Sequence, residues 1–354
     1  MTSLRAIVER TLIAGASVLA ALGGSELVLR AGLVSNPLSR RLAASGSRDP
    51  SASRVLLIGD SFVYKGGRLD SLLTEALGQA GAQVVNVAVP GAGPLQYEAA
   101  LDAFGARVHP RLVLLSVFAG NDITDMMTDP SGRRSLWSEL HGWLRPRLWR
   151  LSLYHLVNAV RAEVTERRAL GAAIAALPAG MDPELASLAR QGRVSAFLLA
   201  APADRKRTFF GDNLLLDRPE SRRTFVELTH ILERMDRVTH KLGADFVIVV
   251  FPDATQLGDS RAAWWRRLGY VVDDRISKQP VLQRELRHWA NDHGVHIIDL
   301  LPAFSTRSVD DLYLPMDVHL NDAGDALAAR MLTDSIVAIL GQKGAGEALA
   351  RPRP

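Results

Sequence analysis

The segment Gly59-Asp60-Ser61 closes an apolar run, Val55–Ile58, and leads through Gly66 and Gly67 into a helical pattern. A serine at such a junction stands at the carboxyl end of a strand, the edge where open α/β sheets hold their ligands. It can serve as a nucleophile if a base and oxyanion donors arrive from elsewhere in the chain. Three later segments offer them. Pro90-Gly91-Ala92-Gly93 follows a second apolar run, and a glycine there lets the backbone approach a ligand and present its N–H. Gly120-Asn121-Asp122 follows a third, and the Asn121 amide can donate to a developing oxyanion. Asp317-Val318-His319 comes last. Residues two apart share a face of an extended segment, so Asp317 is expected to orient the His319 imidazole and His319 to take the Ser61 proton. The expected oxyanion donors are Ser61 N–H, Gly91 N–H and the Asn121 amide.

Each block alone has a plainer reading. Gly-Asp-Ser can be a turn, Gly120-Asn121-Asp122 a loop or helix cap, and Asp317–His319 a surface salt bridge. Eight other histidines compete with His319, and Asp310 and Asp311 compete with Asp317. Position decides between the readings: three blocks fall at strand ends and the fourth in a downstream loop, all on the edge where a site belongs.

Positioning these residues requires a scaffold, and five strand-like runs supply it: Val55–Ile58, Val84–Val89, Leu112–Phe118, Phe246–Phe251 and Val295–Leu300. They are short and nearly continuous in Val, Ile and Leu, the pattern of strands buried on both faces of a parallel sheet. Helical patterns alternate with them at Leu69–Ala80, Pro94–Ala106, Thr224–Leu242 and Val281–His293. The alternation predicts an α/β protein, a flavodoxin-like three-layer α/β/α sandwich with a five-stranded parallel sheet. One interval, residues 126–223, breaks the rhythm and reads as a helical insertion after the third strand. Its first half carries Trp137, Trp143 and Trp149 with Arg145, Arg147 and Arg150, which suits a helical cap or a surface touching lipid headgroups. Ala169–Pro178 reads as an alanine-rich helix and Gly211–Pro219 as a surface loop.

Taken together, the four blocks resemble those of the SGNH (GDSL-type) hydrolase family. Gly59-Asp60-Ser61 matches the serine block, Gly91 the glycine block, Gly120-Asn121-Asp122 the asparagine block and His319 the histidine block. The resemblance covers Val55 to Ile339 outside most of the insertion. It implies a flavodoxin-like fold, an acyl-serine intermediate, and neither a metal nor an organic cofactor. Many members place the carboxylate three residues before the histidine, where this chain has Met316; here Asp317 lies two before. An Asp-x-His spacing is also seen in SGNH-like proteins of bacterial envelopes.

The chain has 354 residues, 47% of them hydrophobic and 23% charged, with a net charge of +4 and no cysteine. That composition fits a globular chain. It excludes disulfides and a cysteine nucleophile, and scattered basic residues without a recognition motif argue against a nucleic-acid partner. No His or carboxylate spacing predicts a metal. At the N-terminus, Arg5 and Arg10 precede an uncharged stretch from Thr11 to Ser25, short of the roughly 20 apolar residues of a span unless Leu27–Leu29 join it. Residues 1–34 are read as a signal anchor with the catalytic domain outside the bacterial inner membrane, with a cleaved signal peptide or an amphipathic first helix as alternatives. Residues 35–53 read as a linker, 54–345 as the hydrolase domain and 346–354 as a flexible tail. The expected activity is ester hydrolysis through serine, on a small-molecule or glycan ester or an envelope lipid. The alternatives are an O-acetyltransferase or deacetylase acting on an exported polysaccharide, and a catalytically silent scaffold. The pocket walls are expected from Phe62–Arg68, the insertion and Pro252–Gly269, where Trp264 and Trp265 are either core or a sugar platform.

Overall fold

The computed structural model describes residues 52–127 except Lys65, residues 179–350, and parts of 21–28 and 168–177. Most of the expected anchor and linker, the Trp- and Arg-rich half of the insertion, and Arg351–Pro354 lie outside the described residues. Among the described residues, no helix is long and apolar enough to cross a membrane.

Five strands form one sheet: β1 (Ser53–Ile58), β2 (Ala82–Asn86), β3 (Leu112–Phe118), β4 (Asp245–Phe251) and β5 (His296–Asp299). All neighbours are parallel and the order is β2-β1-β3-β4-β5. This is the flavodoxin-like order, in which the chain reverses winding direction between β1 and β3. Burial explains why the sequence makes these strands. Every residue of β3 is buried and six of the seven in β4 are, whereas β5, at the edge, has none fully buried.

Alternate residues of the central strands face two separate cores. On one side Leu56, Ile58, Leu115, Val117 and Val250 pack under α2 (Pro94–Val108) and α7 (Pro219–Lys241). On the other, Leu57, Leu114, Val249 and Phe251 pack under α1 (Arg68–Gln79) and the terminal helix α12 (Asp322–Ala350). The result is the expected three-layer sandwich.

The described part of the insertion is not a separate lobe. Its helices α4 (Pro183–Arg190), α5 (Ala196–Ala200) and α6 (Ala203–Phe210) send Leu185, Leu199 and Phe210 into the first core. Residues 170–175 are helical, within the alanine-rich run expected to be so. Three departures from the sequence reading are informative. Gly211–Leu215 forms a buried π-helical turn, not a surface loop: Leu214 and Leu215 join the core, and Asp212 is held by Arg218. β2 ends at Asn86, not Val89, because β1 also ends and the Asn86 carboxamide takes over the Ala88 N–H. Trp265, by contrast, follows the plainer of its two readings: it is core, packed edge-to-face against Phe210, Tyr270 and Trp264. Finally α12, with no proline to stop it, continues to Ala350, past the residue 346 where a tail was expected.

Beyond β4 come α8 (Asp259–Arg267) and α9 (Val281–His293); beyond β5 come α10 (Leu301–Phe304) and α11 (Val309–Leu312). These last two lead into the loop that carries His319.

Candidate active site

Sharp turns at the carboxyl ends of β1, β2 and β3, which are neighbours in the sheet, bring three of the four blocks side by side. The first turn is built by Gly59 and Asp60. A Cβ on Gly59 would lie 2.6 Å from both Ser116 Cβ and Val63 Cγ2, so only glycine fits there. Asp60 is buried, and its carboxylate accepts the Phe62 N–H at 3.0 Å, folding the chain back so that Ser61 stands half-exposed at the tip. Burial raises the Asp60 carboxyl to about 6, against the pull of the Phe62 N–H and of His319.

The second turn places Gly91 at φ +71°, in the left-handed region that favours glycine, with open space where a side chain would stand. Val89 N–H donates to the Gly59 carbonyl at 3.0 Å and ties this turn to the first. The third turn needs Gly120, whose Cβ would collide with the Phe118 ring and Asp253. Asn121 Oδ1 is buried with no partner, while no hydrogen bond occupies the Asn121 NH₂, the Ser61 N–H or the Gly91 N–H among the described residues. Three donors at adjacent strand ends therefore have no acceptor among the described residues.

A buried side chain couples the second and third turns. The Tyr97 hydroxyl, on α2, lies 3.2 Å from the Ala92 carbonyl and 3.0 Å from Asp122 Oδ1. The other Asp122 oxygen accepts the Phe118 N–H at 3.1 Å. Burial pushes Asp122 well above the ordinary carboxylate range, with the charges of Asp60 and Asp125 adding to the rise. Behind Asn121, at the start of α3 (Asp122–Met126), the Asn213 side chain accepts the Thr124 N–H at 3.0 Å and donates to the Thr124 hydroxyl at 3.1 Å. The turn read as a surface loop thus holds the asparagine block in place.

The fourth block is a tight loop closed by a bridge between Tyr313 and Leu320 and by the Leu314 N–H donating to the His319 carbonyl at 2.9 Å. His319 Nδ1 lies 2.7 Å from Asp317 Oδ1, and its Nε2 lies 2.8 Å from Ser61 Oγ, 258 residues away in sequence. With Nδ1–H donated to Asp317, Nε2 is left to accept from the serine hydroxyl. The Asp317–His319 contact expected from the sequence is present, but not for the reason expected. The segment is not extended: Met316 has φ +59°, and Asp317 Oδ1 also accepts the His319 N–H at 3.1 Å. This Asx-type turn swings the carboxylate onto the ring two residues on. The rivals are elsewhere, for Asp310 pairs with Arg261 at 3.4 Å and Asp311 is exposed.

The two charges tune each other. Burial pushes His319 down, but the Asp317 hydrogen bond and charge, with Asp60 and Asp325 behind them, hold it above its ordinary value. Burial pushes Asp317 up, but the His319 contact and two backbone N–H groups hold it below the usual carboxylate range. Phe62, which no motif singled out, packs its ring 5.3 Å from the imidazole and 4.2 Å from Phe118, so it fixes the plane of His319. Among the described residues, no group of three or more His, Asp or Glu could hold a metal ion. The described cavity beside Ser61 is walled by residues of the Phe62–Leu69 segment, Pro90, Leu314 and Leu320. Pro252–Gly269 is not part of it, because Pro252 is engaged by the Tyr313 hydroxyl at 2.6 Å and the Trp265 ring turns inward.

No family model and no curated protein matches the chain. Solved structures do. A lipase/acylhydrolase from Enterococcus faecalis is 12% identical over 81% of this chain and 96% of its own, with a TM-score of 0.39. A GDSL-like lipase from Bacteroides thetaiotaomicron is 9% identical over 85% and 97%, with a TM-score of 0.43. A catalytic mutant of an acetylxylan esterase from Geobacillus stearothermophilus is 13% identical over 81% and 96%, with a TM-score of 0.41. Likenesses this distant add no weight to the strand order already described. What the chain's own structure gives is a flavodoxin-like α/β sheet, with the Ser61, Gly91 and Asn121 blocks at its carboxyl edge and His319 brought to Ser61.

Proposed function

We propose that this protein is a serine esterase that cleaves carboxylic esters through an acyl-serine intermediate. The observation that carries the reading is the continuous hydrogen-bonded path from Ser61 Oγ through His319 to Asp317, beside three donors that have no acceptor among the described residues. His319 Nε2 takes the Ser61 proton as Oγ attacks the ester carbonyl. The carbonyl oxygen becomes an oxyanion and accepts from Ser61 N–H, Gly91 N–H and the Asn121 amide. As the tetrahedral centre collapses, the carbon–alkoxide bond breaks and His319 returns its proton to the leaving alcohol. Water, deprotonated by the same imidazole, then releases the acid and restores the serine.

The basic-then-apolar N-terminus supports an exported, membrane-tethered enzyme, and with it an acylated glycan or lipid of the cell envelope as substrate. The test is direct. The purified chain should hydrolyse p-nitrophenyl acetate and be labelled at Ser61 by a fluorophosphonate; Ser61→Ala and His319→Ala should each remove turnover. Wild-type protein that neither turns over an ester nor takes the label would leave the scaffold reading.

A further inference from the structure

Beside Ser61 opens a cavity of about 430 Å³. That is within the range that encloses whole small organic ligands, and far more than a methyl or ethyl group needs. Which half of an ester it accepts follows from what borders it. Ser61 and His319 both line it, whereas Gly91 and Asn121 do not. When an ester carbon is bound to Oγ with its oxygen turned to the oxyanion donors, the alkoxy oxygen must face Nε2, because that nitrogen returns the proton. A group filling space against the imidazole and away from Gly91 and Asn121 is therefore the alcohol half.

The chemistry of the walls narrows that alcohol. Among its lining residues, Tyr64 is 43% exposed and Leu314 is 41% exposed, so both offer apolar surface to a ligand. Two charged groups complete the lining: the Arg68 guanidinium, 3.5 Å from Asp322, and the half-buried Asp325 carboxylate. A hydrocarbon alcohol would displace water from the Asp325 carboxylate and from the guanidinium edge that Asp322 leaves open, and return no hydrogen bond to either, at a net cost. A sugar ring has an apolar face for Tyr64 and hydroxyls that accept from Arg68 and donate to Asp325. We infer that this cavity is the leaving-alcohol subsite and that it takes the sugar unit of an O-acylated glycan, with Tyr64, Arg68 and Asp325 determining specificity.

The inference rests on the esterase reading and is tested so that the two can fail separately. Four esters are offered to the full chain: ethyl acetate, cyclohexylmethyl acetate, methyl 6-O-acetyl-glucoside and ethyl octanoate. The glucoside should exceed both ethyl acetate and cyclohexylmethyl acetate in kcat/KM by about tenfold, the order of one ring stack plus a hydrogen bond. Tyr64→Ala and Arg68→Gln, both at exposed positions, should each erase most of that preference. If the cyclohexyl ester equals or beats the glucoside, the sugar assignment is overturned. If preference follows the acyl chain instead, with octanoate favoured and the alcohol series flat, the alcohol assignment is overturned while the esterase stands. Absence of both turnover and fluorophosphonate labelling removes the esterase reading and this inference with it.

Discussion

The carboxylate behind His319 is the residue on which the proton path depends most openly, and its removal has a calculable effect. Asp317 Oδ1 receives His319 Nδ1 at 2.7 Å, His319 N–H at 3.1 Å and Val318 N–H at 2.6 Å. In the transition state the imidazole is charged, and a hydrogen bond to a charged partner is worth about 1.5–3 kcal/mol. The Asp317 and His319 side chains are 43% and 38% exposed, so water screens the pair and the lower half of that range applies. Asp317→Ala should therefore lower kcat/KM by about 10- to 100-fold. A fully buried triad aspartate loses far more, about 10⁴-fold. Asp317→Asn keeps an oxygen for the two backbone N–H groups but loses the charge, so its folding should stay close to wild type while its activity follows the alanine variant.

The pH profile supplies an independent sign. His319 works as a base only when neutral, and Asp317 raises its pKa; removing Asp317 must move the acid limb of kcat/KM to lower pH. Stopped-flow hydrolysis of p-nitrophenyl acetate across pH 4.5–8.5 measures both quantities. Retention of activity within about threefold, or an unmoved acid limb, would mean that Asp317 does not serve His319 in the chemistry.

Two further outcomes are expected. Tyr97→Phe removes the hydroxyl that spans Ala92 and Asp122, so kcat should fall by about tenfold with KM nearly constant, since oxyanion donors act in the transition state; an unchanged kcat would separate the buried bridge from catalysis. Asp60 and Asp325 are held at about 6, chiefly by burial, above their ordinary 3.8, so each binds its proton more tightly in the folded chain. The stability they give is complete below about 4 and is lost as pH rises through about 6, and His319 acts in the same direction around its own raised value. The Tm should therefore rise by roughly 2–4 °C between pH 7.5 and 5.5, and Asp60→Asn should flatten that slope. A Tm that falls on acidification over this interval would contradict the assignment of these shifts.

The sheet was legible because its strands are buried on both faces: Leu112–Phe118 and Phe246–Phe251 can hardly be read otherwise. Ser61, Gly91 and Asn121 were legible because the sharp turns at strand ends demand glycine and mark the neighbouring residues, and His319 because an aspartate stands two residues before it. Each block alone has a plainer reading, and only their shared edge set them apart. What failed was anything set by tertiary contact. Tyr97 reads as one more apolar position on α2, and nothing local says that its hydroxyl reaches Asp122, 25 residues on. Asn213 sits in a polar, glycine-led stretch that resembles a surface loop, and only the distant Thr124 explains it. Asp317 was found by type, but its route to the ring depends on the positive φ of Met316, which a methionine does not announce.

The loop from Leu314 to His319 is hydrogen-bonded to itself, with Tyr313 and Leu320 bridged at its base. The carboxylate–imidazole contact is therefore written into a short stretch of chain, while the imidazole–serine contact depends on how that stretch is seated. Its seating relies on the Tyr313 hydroxyl on Pro252 and on Gly324, where a Cβ would come within 2.1 Å of the Leu312 carbonyl oxygen. The histidine is thus carried as a cartridge, loaded locally and aimed globally. A fault in the aim would leave a histidine that titrates normally beside a serine it no longer reaches. Inactive variants should accordingly fall into two groups, told apart by the imidazole resonance and not by activity: those that spoil the cartridge and those that misplace it.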